Sequence, residues 1–175
     1  MSAPDSLTSA LCTKCGLCCD GSLLADVELT GEAEADQMES LELEVEDGED
    51  QGRDAWFLRL PCRALCGVKC SIYQHRPETC RTFECRLLRD VDEGVVGMRE
   101  ATLVIAEARA ERREVLSILE SLEEDRDSAD LPLKERVSET VLRLEEDGSP
   151  GAGTDDLLAG MRRLEALLDK RFLGE

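Results

Sequence analysis

The sequence predicts an α+β fold, mainly α. A small, irregular, metal-stapled cysteine-rich domain with a short β-hairpin occupies 1–98, and about three helices fill 99–175, packing on it or binding a partner. Three observations carry that prediction. All nine cysteines lie between Cys12 and Cys85. Leu41, Leu43 and Val45 alternate with acidic residues ahead of Trp56–Leu60, the period of a half-buried strand. From about Arg99 onward apolar residues recur at helical spacing.

The N-terminal half reads as short pieces: a cysteine loop, a strand within "SLLADVEL", a short helix opened by Thr30, and a hairpin turning in "DGEDQGRD". Only five residues are aromatic (Trp56, Phe57, Tyr73, Phe83, Phe172), so packing alone offers this half little buried area. Trp56 and Phe57 are expected in the core, and Ile72 and Tyr73 pack their loop against the hairpin. Pro77 starts a helix expected to run to about Arg89, with Phe83 and Leu87 on one face. Beyond it, Val104, Ala108, Val115, Leu119 and Leu122 form one stripe, and Leu133, Val137, Val141 and Leu144 a second after Pro132. A third comprises Leu157, Met161, Leu164, Leu168 and Phe172, with Thr154 as the expected N-cap after the linker "DGSPGAG". These stripes are read as helix-packing core.

The formal net charge of -19 excludes general nucleic-acid binding, which requires a basic surface. Between Arg59 and Arg89, however, seven Arg or Lys face only Glu78 and Glu84, and this basic island coincides with the later cysteines. Cations there can offset thiolate charge. No run approaches the length of a membrane span, and "MSAPDSLTSALC" lacks the basic start and apolar run of a secretory signal. A cytoplasmic protein is expected, where clustered thiols act as metal ligands or redox groups more often than as a disulfide framework.

The first cysteine group is C-x2-C-x2-C-C: Cys12, Cys15, Cys18 and Cys19. Two-residue spacing lets a turn aim successive sulfurs at one centre, with Gly16 supplying backbone freedom. Adjacent side chains in extended chain point apart, so Cys18 and Cys19 serve different tasks: two centres, or one ligand and one other thiol. The second group contributes Cys62, Cys66, Cys70, Cys80 and Cys85. On a regular helix Cys80 and Cys85 would stand about 140° apart, so at least one meets the site at a helix end.

"CTKCGLCCDG" together with "CSIYQHRPETCRTFEC" resembles the CxxCxxCC cysteine-cluster family, the YkgJ-type zinc- or iron-chelating domain, over roughly residues 12–90. The resemblance implies eight metal-site cysteines: Cys12, Cys15, Cys18, Cys19, Cys62, Cys70, Cys80 and Cys85. Cys66 falls outside the pattern as an extra thiol. Eight ligands divide into two four-thiolate sites, or into one cluster with spare thiols. Sulfur-only coordination suits zinc or iron–sulfur and argues against calcium or magnesium. The C-x2-C-x2-C run favours an iron–sulfur cluster, 4Fe-4S, over zinc. Arg76 and Arg81 are the candidate outer donors, Arg81 foremost because it follows a ligand directly. The lone His75 sits in a polar turn and is read as exposed.

The expected function is therefore a cysteine-ligated metalloprotein, serving electron transfer or redox sensing with a basic redox partner if the centre is iron–sulfur. A structural zinc module for protein interaction is the alternative. An enzyme, related to the protein lysine methylases among larger family relatives, is a further one. Against it stand the missing glycine-rich cofactor loop and the single histidine. Metal binding here should also be folding. Chelation is expected to melt residues 12–85 while helices after Arg99 stay partly formed. Amide hydrogen exchange on the chelated chain checks this, and full protection between Cys12 and Cys85 would contradict it.

Overall fold

The alternating segment ahead of Trp56 forms a sheet, but with a tighter turn and later start than the pattern suggested. The computed structural model describes residues 7–122, 130–148 and 151–174. Strands β1 (Asp26–Glu28), β2 (Val45–Asp50) and β3 (Arg53–Arg59) form an antiparallel sheet of order β1-β3-β2. The acidic run continues β2, with Val45 opposite Leu58 and Asp50 opposite Arg53. The turn is only Gln51–Gly52, both at positive φ (51° and 75°), the conformation whose twist suits a two-residue hairpin. Of the alternating apolar residues, Val45 alone is in the strand. Leu41 caps helix α2 (Glu32–Ser40), and the N–H of Leu43 bonds back to Met38 O at 3.1 Å. Thr30 does not itself begin α2, because Gly31 takes the capping position. Its N–H and hydroxyl both donate to the Glu34 carboxylate, at 2.9 and 3.0 Å. Ala35 and Met38 of α2 cover Val27, Leu29, Leu43 and Leu58, and this makes a first, small core.

A second core is helical. Helix α1 (Leu7–Cys15) stands where a loop was expected. The helix expected over 77–89 is broken at Phe83–Cys85 into α3 (Glu78–Thr82) and α4 (Arg86–Asp92), so Phe83 and Leu87 do not share a helix face. Leu11, Leu17, Leu87, Leu88 and Val91 join the core built by α5 (Met98–Leu122), α6 (Leu133–Glu146) and α7 (Ala152–Leu168). Most of the predicted stripe residues are buried: Val104, Ala108, Val115 and Leu119 on α5, Leu133 and Val137 on α6, and Leu157, Met161, Leu164 and Leu168 on α7, while Leu122 and Val141 are partly buried against the same core and Leu144 is half-buried outside it. Phe172 is buried in a π-helical turn, Asp169–Leu173. A Cβ at Gly160 would lie 3.3 Å from Val115 Cγ2, a measure of how closely α7 approaches α5. Thr154 is not the N-cap. Gly151 holds that position, α7 starts earlier, and Thr154 is buried within the first turn. Of the linker before it, residues 149 and 150 lie outside the described residues.

A two-stranded ladder, β4 (Leu65–Cys66) with β5 (Lys69–Cys70), and a 3-10 turn (Tyr73–His75) complete the chain between sheet and α3. The α+β, mainly α class is thus observed. Leu164 is fully buried, so Leu164→Ala should cost about 2–5 kcal/mol of stability, read as a lower urea midpoint at unchanged slope.

Candidate metal centre

Between the two cores lies a cavity of about 280 Å³, and its walls carry Cys12, Cys15, Cys18, Cys19, Cys62, Cys70, Cys80 and Cys85. Val27 and Leu58 contribute from the sheet side, Leu11, Leu87 and Ile105 from the helical side. Cys66 is exposed on the β4–β5 ladder and does not line it. His75 is exposed in the 3-10 turn. All nine cysteines are free thiols. Among the described residues no three His, Cys, Asp or Glu side chains stand close enough together to hold a metal ion as they are placed here.

Local structure explains how distant cysteines arrive together. Cys12 and Cys15 are three apart on α1, hence on neighbouring positions of one helix face. Gly16, at φ 77°, ends the helix, and its carbonyl accepts the N–H groups of Cys19 and Asp20, each at 3.0 Å. That curl brings Cys18 and Cys19 round. The N–H of Cys62 donates to Cys19 O at 2.8 Å, tying the two cysteine groups by their backbones. Helix α3, which carries Cys80, is pinned to β1 by the Thr79 hydroxyl on Glu28 O at 2.7 Å. The Glu78 N–H fixes its start on Glu34 at 2.8 Å. Burial alone would raise Glu34, but the N–H groups of Thr30 and Glu78, the Thr30 hydroxyl and Arg81 hold its carboxyl below the usual range. Cys85 occupies the N-cap position of α4. The break before it is the backbone deviation that lets Cys80 and Cys85 both reach the cavity, one of them at a helix end.

Packing places five of the eight thiols on one core or the other, and electrostatics relates the remaining three to them. Cys15 and Cys85 pack against the helical core, whereas Cys62, Cys70 and Cys80 pack against the sheet core. Burial pushes Cys15 up to about 12, with Cys85 and Cys12 adding to the rise. Cys12 is raised by burial and then by Cys85, and Cys18 well above its ordinary value by burial, Cys15, Cys85 and the adjacent Cys19. On the other side, burial takes Cys19 to about 12 with help from Cys80, Cys62 and Cys70. Cys80 reaches about 11 through burial, Cys62 and Cys70. Cys62 is raised by burial and Cys70. Backbone N–H groups oppose these shifts at single sulfurs: Leu17 at Cys15, Ala64 at Cys62, and Leu88 and Leu87 at Cys85.

Of the two arginines singled out above, Arg76 lines the cavity, while Arg81 is exposed and lies in the field of Glu34. Tyr73 also lines the cavity, beneath the Arg76 guanidinium, rather than only packing its loop. Ile72 and Trp56 pack on the sheet core. Sequence reasoning passed over the residues that hold the first cysteine loop. Arg109 Nη1 donates to Cys15 O at 2.8 Å, and Arg112 Nε pairs with the buried Asp20 at 3.0 Å and bonds Ser22 Oγ at 2.7 Å. Asp20 also accepts the N–H of Ser22 at 3.0 Å. The "CCDGS" order was a visible turn signal for Asp20; nothing local marks Arg109 or Arg112.

The family model CxxCxxCC, described as a putative zinc- or iron-chelating domain, matches residues 11–112. No curated protein and no solved structure matches the chain. No helix among the described residues is long and apolar enough to cross a membrane.

The thiol shifts make a pH prediction for the metal-free chain. Below about pH 9 folded and unfolded thiols are both protonated, so stability is level. Above the ordinary value of 9.0 the unfolded chain ionises first, while Cys15 and Cys19 hold their protons to about 12. Stability should therefore fall progressively from pH 9 toward 12. Denaturant midpoints across that range check it, and a midpoint rising with pH would contradict it.

Proposed function

The chain belongs to the CxxCxxCC family of zinc- or iron-chelating domains, and we propose that it holds two thiolate-ligated centres in one cavity. Cys12, Cys15, Cys18 and Cys85 form one set, and Cys19, Cys62, Cys70 and Cys80 the other. The observation that carries this reading is the agreement of two independent sortings. Cys15 and Cys85 pack on the helical core and Cys62, Cys70 and Cys80 on the sheet core, and apart from the adjacent pair Cys18 and Cys19 each raised thiol feels thiols of its own set. It also accounts for the adjacent Cys18 and Cys19, which serve opposite sets.

The donor set is sulfur alone, which suits zinc and iron–sulfur alike. Two features favour iron–sulfur, and 4Fe-4S in particular. A cavity of about 280 Å³ leaves room for a polynuclear group, whereas one zinc ion draws four sulfurs to about 2.3 Å around a point. In two-cluster ferredoxins the first three cysteines of a C-x2-C-x2-C run share a cluster, and the fourth of the run ligates the other. Cys12, Cys15 and Cys18 with the remote Cys85, and Cys19 in the second set, follow that logic. N–H groups directed at sulfur, as at Cys15, Cys62 and Cys85, are among the groups that tune such centres. The function is then electron transfer or redox sensing, with the net charge of -19 guiding a basic partner.

Anaerobically purified protein should contain iron and sulfide, about eight of each per chain for two 4Fe-4S clusters, with a broad absorption near roughly 400 nm. Cys85→Ser and Cys80→Ser should each leave about half of the metal, since each disrupts one set. Stoichiometric zinc in a colourless sample would instead make the chain a structural module. Complete metal loss in both variants would overturn the two-centre division.

A further inference from the structure

Arg76 is held in place from two directions. It precedes Pro77, which restricts it to extended backbone (φ -59°, ψ 145°), and Pro77 is itself fully buried. Its guanidinium carbon lies over Tyr73, 3.6 Å from the ring centre, while Nε donates to Tyr73 O at 3.0 Å. That leaves the two Nη groups free of this tether. The residue is half-buried and lines the cavity of the eight cysteines. Among the described residues it makes no ion pair with a carboxylate, although such pairs occupy Arg59, Arg63, Arg86, Arg112, Arg163 and Arg171. A guanidinium carries fixed charge and planar donors, and a half-buried one without an anion calls for a counter-charge. The cavity supplies one. Four thiolates outweigh the charge of a divalent ion, so a centre of the kind proposed is net negative.

We propose that Arg76 is the shared positioning cation of the two thiolate centres: clamped by Tyr73 and Pro77, it faces both and stabilises the negative charge of each. This rests on the two-centre reading above. The geometry agrees with it, since Arg76 lines the cavity whose walls carry both sets of cysteines. A residue with a purely structural role would serve through its stacked plane. A shared counter-charge serves through its sign.

The test is chelator-driven metal release from the full-length chain as purified, followed by absorbance. Wild type should release metal in two phases, and Cys85→Ser and Cys80→Ser should each remove one of them. Arg76→Leu should accelerate both phases by about tenfold or more, in the range found when outer partners of metal ligands are lost. Arg76→Lys, which restores charge without the planar fork, should return both most of the way to wild type. If the centres are iron–sulfur, Arg76→Leu should also lower both reduction potentials, and Lys should recover them. Should Arg76→Leu fail to fold, Arg76→Gln makes the same comparison with the polar tip kept and the charge removed. Acceleration of one phase only, of neither, or equal acceleration by Lys and Leu would overturn the proposal. A single wild-type phase abolished by either cysteine variant would instead overturn the two-centre reading itself.

Discussion

Eight thiols face one another across an apolar cavity, and there burial holds sulfur in its neutral form. Cys15 and Cys19 are pushed to about 12 and Cys80 to about 11. A thiol must ionise to ligate, so metal has to supply the stabilisation that the cavity withholds from a bare thiolate. The chain lowers that cost locally rather than globally. N–H groups from Leu17, Ala64, Leu87 and Leu88 meet individual sulfurs, and Arg76 and Arg89 bring positive charge near them. Of the basic island of the sequence, Arg76 and Arg89 act on the thiols, while Arg59, Arg63 and Arg86 pair with carboxylates.

The same cavity is the seam between two cores, neither large. The sheet core rests on Val27, Met38, Leu58 and Leu60, the helical core on α1, α4 and the three long helices. The chain crosses the seam between Leu23, packed on the helical core, and Leu24, packed on the sheet core, a few residues after the first cysteine group, and again in the broken stretch between Cys80 and Cys85. A centre on either side therefore fixes chain that both cores depend on. Few aromatic residues are available to do this by packing, which is a physical reason for so many ligands in so small a region.

What could be read from the sequence followed from how local its cause was. The stripes of α5 to α7 were legible because most of one face of each helix is buried, and the eight cavity cysteines through the family resemblance that their motifs carry. Helix α1 was hidden because C-x2-C spacing suits a helix turn as well as a loop. The break at Phe83–Cys85 was hidden because Pro77 and the apolar spacing of Phe83 and Leu87 satisfy a continuous helix. Tertiary demand overrides that preference, since an unbroken helix would turn Cys85 away from Cys80. Thr154 misled for a related reason: Gly151 can cap α7 without a side chain, freeing Thr154 for the interior. Which arginine faces the sulfurs depended on α3's orientation, set by Thr79 and Glu34 from distant segments.

The helices beyond the cysteine region are joined to it by specific polar contacts as well as by packing. The family match ends at residue 112, and Arg112 is the residue of α5 that grips Asp20 and Ser22 just after the cysteine pair. From the other side, the Leu133 N–H at the start of α6 donates to Gly21 O at 3.0 Å, and Arg59 of β3 reaches Glu135 at 3.5 Å. Residues 20–22 are thus held by two helices at once, α5 from within the matched region at Arg112 and α6 from beyond it. Beyond Arg112, α5 contributes Val115 and Leu119, which pack with Leu157, Met161 and Leu164 of α7 in the same core. The first half of α5 answers to the cysteine loop and its second half to the helical pair, so one uninterrupted helix couples the metal-site geometry to the C-terminal core. A displacement of the Cys15–Asp20 curl would be felt first at Arg109 and Arg112, one turn apart on that helix, and only then by the packing that follows.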